Sequence, residues 1–280
     1  MRFLEDDCKK LYDYYKLFGS KEELNIIFYS INKPMPYKEL LIYPVKTIYY
    51  MIFHVFAECF FANKYDSGLP ECMGMDPLQF LFYQDFSKGV DNADKYLPLL
   101  QELLLLCLQL PKKDEKGQDT VKFVQDGKKC FIIIQGVKYD WKDFEKIRDI
   151  ICEQNSITLP DFKIHPDIRK KLEEKDKLLA KSNKQKIASF EELIDCLMLA
   201  GHFEEDYILE LPIRRFNNLL QRYGIMKDYE LSTILSPNME KKDREKIKSW
   251  ISAIPKKDQY FSKVTNITDI ERAVGGGQQK

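Results

Sequence analysis

The sequence predicts a mainly α fold, a multi-helix chain with a small central β-hairpin packed on a helix. Three observations lead there. Long apolar runs are bounded by N-cap and proline signals, an Asp-Gly dipeptide separates two β-type segments, and an N-capped amphipathic stretch follows directly behind them.

Asp7 to Phe18 has a helical pattern that stops at Gly19, and Ser20 with Glu23 has capping-box spacing. Pro34 and Pro36 punctuate the chain. After Pro44 a long apolar helix is expected to about Asn63, where KYDSGLPE makes a loop. Within it Ile48, Ile52, Val55, Phe56 and Cys59 follow the three-four rule, while Tyr49, Tyr50, Phe53 and Phe60 widen the apolar arc to nearly the whole circumference. A helix apolar all round is central in a core or covered by a partner.

Asp76 before Pro77 is an N-cap and N1 pair that starts the helix PLQFLFYQDF. Leu97 to Leu110 makes a further buried helix, stopped by Pro111 and the charged loop KKDEKGQD. Thr120–Gln125 and Lys128–Ile134 are the two β-type segments, with Asp126-Gly127 suited to a type I′ turn. Phe131 to Ile134 make the second strand apolar on both faces, which predicts a sandwiched strand. Gly136 turns the chain, Asp140 caps a helix, and Asp143 complements its dipole. Trp141, Phe144, Ile147, Ile150 and Ile151 share one face of that helix, which ends near Asn155.

Asp167 to Lys184 is highly charged with a thin apolar stripe, a solvated helix or linker. Ser189 and Glu192 form a second capping box ahead of a helix to Gly201. Pro212 starts the helix IRRFNNLLQRYG, Asp228 to Leu235 makes another, and a charged helix runs from Met239 to about Ile254. These breaks suggest four segments: 1–116, an aromatic-rich helical domain; 117–160, the hairpin and its helix; 161–186, the charged helix or linker; and 187–280, a C-terminal helical domain with a weakly ordered tail.

The 280 residues, 44% hydrophobic and 31% charged, are those of a soluble folded protein. Lys and Arg number 44 and so do Asp and Glu, giving zero formal charge and no global field toward nucleic acid or anionic lipid. The seven cysteines never fall in a CxxC spacing and read as reduced thiols, most of them core fillers in a cytosolic protein. No apolar run reaches a spanning length free of charge, so no membrane role is expected.

The three histidines, His54, His165 and His202, lack zinc-site spacing, and His54 with Glu58 is an isolated i, i+4 pair. There is no GxSxG elbow, Walker A loop or GxGxxG fingerprint. No catalytic residue, metal or cofactor is therefore expected. An enzyme reading would need a fold-assembled thiol site at Cys59 or Cys152. Glu204, Glu205 and Asp206 read as helix-dipole complements, and the basic residues around Arg214, Arg215, Arg222 and Lys241 are interleaved with acids or scattered. The candidate binding residues are aromatic: Tyr43, Tyr49, Tyr50, Phe53, Phe60 and Phe61, core fillers or a protein-binding groove, since Tyr and Phe dominate partner recognition.

The order of elements resembles that of tail-assembly proteins encoded by bacteriophages and prophages of Gram-positive bacteria. The stretches that carry the resemblance are KELLIYPVKTIYYMIFHVFAECFFANK, GVKYDWKDFEKIRDIICEQN, FKIHPDIRKKLEEKDK, and ASFEELIDCL followed by ELPIRRFNNLLQRYG, spanning Lys38 to about Leu235. The resemblance implies a noncatalytic tail-assembly chaperone in the cytoplasm of the bacterial host, with the phage tape-measure protein and tail-tube protein as partners. A structural tail or baseplate component of the phage particle is the alternative.

Overall fold

A computed structural model describes residues 29, 32–86, 96–160, 171, 188–244, 247 and 249–252. The expectations for Asp7–Phe18, the Ser20–Glu23 cap, nearly all of Asp167–Lys184 and the C-terminal tail lie outside these residues. The protein is mainly helical, with two small antiparallel sheets packed against helices. The chain divides into two compact units, Met1–Leu159 with Pro166–Leu220, and Pro160–His165 with Gln221–Lys280.

In the first unit β1 (Met35–Tyr37) and β2 (Leu40–Ile42) form a hairpin in which Met35 pairs with Ile42. The sequence reading marked only its prolines, because the turn carries no Gly or Asn; Lys38 itself adopts the left-handed φ of 50°.

The long helix expected after Pro44 is a shorter composite. A 3-10 turn at Thr47–Tyr49 leads into α1 (Tyr50–Ala57), and a second 3-10 turn follows at Glu58–Phe61. The composition accounts for the interruption, since Thr, Ile, Val, Tyr and Phe all lose rotamer freedom in a helix. The apolar circumference divides between core and solvent: Phe53, Ala57 and Cys59 are buried and Phe56 is half-buried, while Ile48, Ile52 and Val55 are exposed.

Asp76 caps α2 (Pro77–Phe86): its carboxylate accepts from the Gln79 backbone at 2.8 Å, and the Gln79 side chain accepts from Asp76 N at 2.9 Å. In α3 (Tyr96–Leu108), Leu100, Leu103, Leu104 and Cys107 are wholly buried. Each such leucine contributes about 1.5–3 kcal/mol of burial before ordering entropy is subtracted.

The central element is a three-stranded sheet, not a lone hairpin. β3 (Val121–Asp126) pairs with β4 (Lys129–Ile134), and β4 with β5 (Val137–Tyr139). The β3–β4 turn is Gly127-Lys128, one residue beyond the expected position, with Gly127 at φ 60°. Gln135 and Gly136 both take positive φ, which makes the tight return into β5 that the sequence reading took for a simple turn. β4 buries Cys130, Ile132 and Ile134 on one face only, whereas Phe131 and Ile133 are half-buried, so the strand is not sandwiched. The Lys138 ammonium, 3.5 Å from the centroid of the Phe131 ring, covers part of that outer face.

Asp140 caps α4 (Trp141–Gln154) in a full capping box with Asp143, and Phe144, Ile147 and Ile151 bury its apolar face. These residues join the α1, α2 and α3 side chains in one core, so the expected boundary between 116 and 117 falls inside shared packing.

Ser189 and Glu192 cap α5 (Phe190–Gly201), which His202 ends in the left-handed region. α6 (Glu205–Glu210) follows, with Glu205 and Asp206 in its first turn. α7 (Ile213–Leu235) is one helix of 23 residues where two were expected, because Gly224 is carried within it. An interior Gly costs about 1 kcal/mol relative to Ala, too little to break a helix of this length. A second core of Ile194, Leu197, Ile208 and Phe216 joins α5, α6 and the start of α7. In the second unit Arg222 donates to the carbonyl of Ser252 at 2.8 Å, and the short α8 covers Lys241–Arg244 of the charged segment expected from Met239.

Candidate docking interface

The chain just before α1 is strapped to the joint between α6 and α7. Thr47 N and Thr47 Oγ1 both donate to the Leu211 carbonyl at 2.7 Å, and Ile213 N donates to the Val45 carbonyl at 2.8 Å. Val45 N in turn donates to Asn155 Oδ1 at 2.9 Å, which connects the strap to the end of α4. A buried polar strap of this kind holds α1 in place, and among the described residues its outer face is left exposed.

That face is apolar. Ile48 is 53% exposed, Met51 62%, Ile52 48% and Val55 50%. Ile48, Ile52 and Val55 succeed one another at the spacing of one helical stripe. Beside the stripe lies a groove of about 670 Å³, walled by Ile48, Ile52 and Phe56 on one side and by Leu105, Leu106 and Leu110 on the other. Its rim is charged: Lys46 pairs with Glu210, and Lys112 Nζ meets Glu102 Oε1 at 2.6 Å. The hydrogen bond to Glu102 raises the pKa of Lys112, and hence favours the charged pair.

The six aromatic residues expected to bind a partner divide between roles. Tyr49 and Phe61 are exposed, and Tyr49 lines the groove. Phe53 and Phe60 are core side chains at 0% and 2% exposure, so they are removed from any contact surface. Tyr50 is half-buried and stacks on Phe190 with ring centroids 5.0 Å apart, meeting Phe216 edge-on at 5.8 Å. It is used to join the two cores of the first unit. Tyr43 is half-buried, and its backbone N–H donates to the Cys107 carbonyl at 2.8 Å.

The reading by residue type passed over the exposed aliphatic stripe, whose signal was its own three-four spacing. That spacing is the same for a core face and a docking face, so the sequence alone leaves the side open.

Thiol chemistry finds little support here. Cys59, Cys107 and Cys152 are buried; burial pushes the first two well above the ordinary thiol range and Cys152 up to about 12. Among the described residues the six cysteines are free, and no group of three or more His, Cys, Asp or Glu could hold a metal. His54 packs against Tyr50 and Phe53 rather than forming a ligand pair, and this partial desolvation lowers its pKa. Arg214 donates to the Glu153 carbonyl at 2.6 Å and is thus spent on structure. No described helix is long and apolar enough to cross a membrane.

Comparison with protein-family models, with curated proteins and with solved structures finds no match.

Proposed function

We propose that this protein is a noncatalytic assembly chaperone of phage tail morphogenesis that binds the tape-measure protein in the cytoplasm of the bacterial host. The observation that carries the reading is the exposed Ile48, Met51, Ile52, Val55 stripe beside an apolar groove. A stripe exposed in this way among the described residues is suited to an apolar client, and helix-in-groove docking uses this i, i+4, i+7 pattern. The sequence resemblance to phage tail-assembly proteins supplies the identity of the client, a long helical protein that must stay soluble until tube subunits enclose it.

The experiment is affinity purification of the tagged chain from phage-producing cells, with mass spectrometry of the bound material and of finished particles. Recovery of the tape-measure protein, with this chain absent from particles, supports the chaperone. Stoichiometric presence in particles makes it a structural tail or baseplate component instead.

A further inference from the structure

Among the described residues the rim of the α1 groove holds four charges, and they are paired with one another. Lys46 is joined to Glu210, and Lys112 to Glu102, so each pair is neutral as it stands. Glu58, the remaining acid next to α1, does not form a wall of the groove. Between these pairs the lining is mostly apolar, aliphatic with Tyr49 and Phe56, and its uncharged polar side chain is Gln109. Thr47 to Ala57 spans 11 residues across the 3-10 turn and α1, or about 16 Å, enough for about three turns of a helix laid alongside.

We propose that the groove recognises the uncharged apolar stripe of a partner protein helix, and that it does so without regard to the charge on the partner's outer face. This inference rests on the docking interface named above and specifies the class of occupant. A groove meant for a basic or acidic segment would leave rim charges of one sign unpaired, since recognition of that kind draws on complementary potential. Here a charged ligand would have to break two local ion pairs to gain any. Apolar contact is left as the main source of affinity, and it carries little dependence on ionic strength because there is no net rim field for salt to screen.

The test uses the full chain and fluorescent peptides of about 20 residues, long enough to form helix in isolation. Three peptides share one leucine stripe at i, i+4 and i+7 and differ only in an outer face that is basic, neutral or acidic. Anisotropy titrations are run at about 0.05 M and about 0.5 M NaCl, which changes the screening length from about 14 Å to about 4 Å. The inference expects all three peptides to bind within about threefold of one another, and salt to change each Kd by less than about threefold. Ile52→Asp, checked for fold by circular dichroism, should weaken all three by at least about tenfold, while Leu199→Asp, on a different helix, should not.

Binding by one charged peptide alone, or a salt effect beyond tenfold, overturns the inference, as does full binding by Ile52→Asp or binding by none of the peptides. A concentration-dependent dimer that Ile52→Asp splits also overturns it, by assigning the groove to a second copy of the chain. Capture of the tape-measure protein is scored separately. If the peptides bind and no tape-measure protein is captured, the phage assignment fails and the groove inference stands. If tape-measure protein is captured equally by Ile52→Asp, the groove inference fails alone.

Discussion

Thr47 and Leu211 lie 164 positions apart in the chain and are joined twice, because the backbone N–H and the hydroxyl of Thr47 both donate to the Leu211 carbonyl at 2.7 Å. Thr47 is wholly buried, so the hydroxyl has no water to replace this partner. Thr47→Val keeps the shape and the backbone bond but removes the hydroxyl bond. The expected loss is about 1 kcal/mol, read as a lower urea midpoint at unchanged m-value.

Asn155 carries a larger share of the same strap. Its side chain accepts from Val45 N at 2.9 Å and donates to the Ile151 carbonyl at 2.9 Å, with the residue at 0% exposure. Asn155→Ala strands the buried Val45 N–H without an acceptor. A loss of about 2–3 kcal/mol is expected in the same denaturation experiment, more than for Thr47→Val, because an unsatisfied donor costs more than a missing redundant bond. Equal effects of the two variants would contradict this.

Acid sensitivity should trace in part to Asp143. Burial pushes its carboxyl up, but hydrogen bonds from Lys38 and Tyr37 and from the Asp140 backbone outweigh it, so its pKa lies below the ordinary 3.8. Because the folded value is depressed, the stabilisation is present above pH 3.8 and is lost as pH falls through the folded value. Asp143→Asn should be less stable at neutral pH and show a flatter stability profile below that point. An unchanged acid limb would contradict the assignment.

His54 defines a second, higher window. Its ring packs on Tyr50 and Phe53 while the residue as a whole stays exposed, and this partial desolvation lowers its pKa from 6.5, so the unfolded chain takes up a proton before the folded one does. Stability should therefore be full above pH 6.5 and fall as pH drops below it, and His54→Gln should remove that slope while leaving the carboxylate window in place. Denaturation midpoints from neutral pH downward, on both proteins, check this.

Of the six described cysteines only Cys196 is exposed. In a Cys8→Ser background, iodoacetamide should label Cys196 quickly and the buried five only on denaturation. Rapid labelling of Cys59 or Cys152 in the folded chain would reopen the thiol reading.

Capped elements were legible from sequence because their signals are local. Asp76, Asp140 and Ser189 were each placed as N-caps, and each caps. Elements fixed by tertiary context were not legible. The β1–β2 hairpin turns through Lys38, a residue with no turn signature, and β5 is three residues long. The candidate site was only half legible. The stretch around α1 was identified, but a helix apolar on all sides gives no sign of which side the core will take. Phe53 went inside and Ile52 stayed outside, a choice made by the strap at Thr47 and the stacking of Tyr50 on Phe190.

The most direct measurement is the amount of tape-measure protein co-purified from phage-producing cells by the wild-type chain, by Ile52→Asp and by Leu199→Asp. The account predicts strong capture by wild type and Leu199→Asp and at least about tenfold less by Ile52→Asp, in proteins of equal fold and expression. Capture by none of the three, or equal capture by all three, would contradict it.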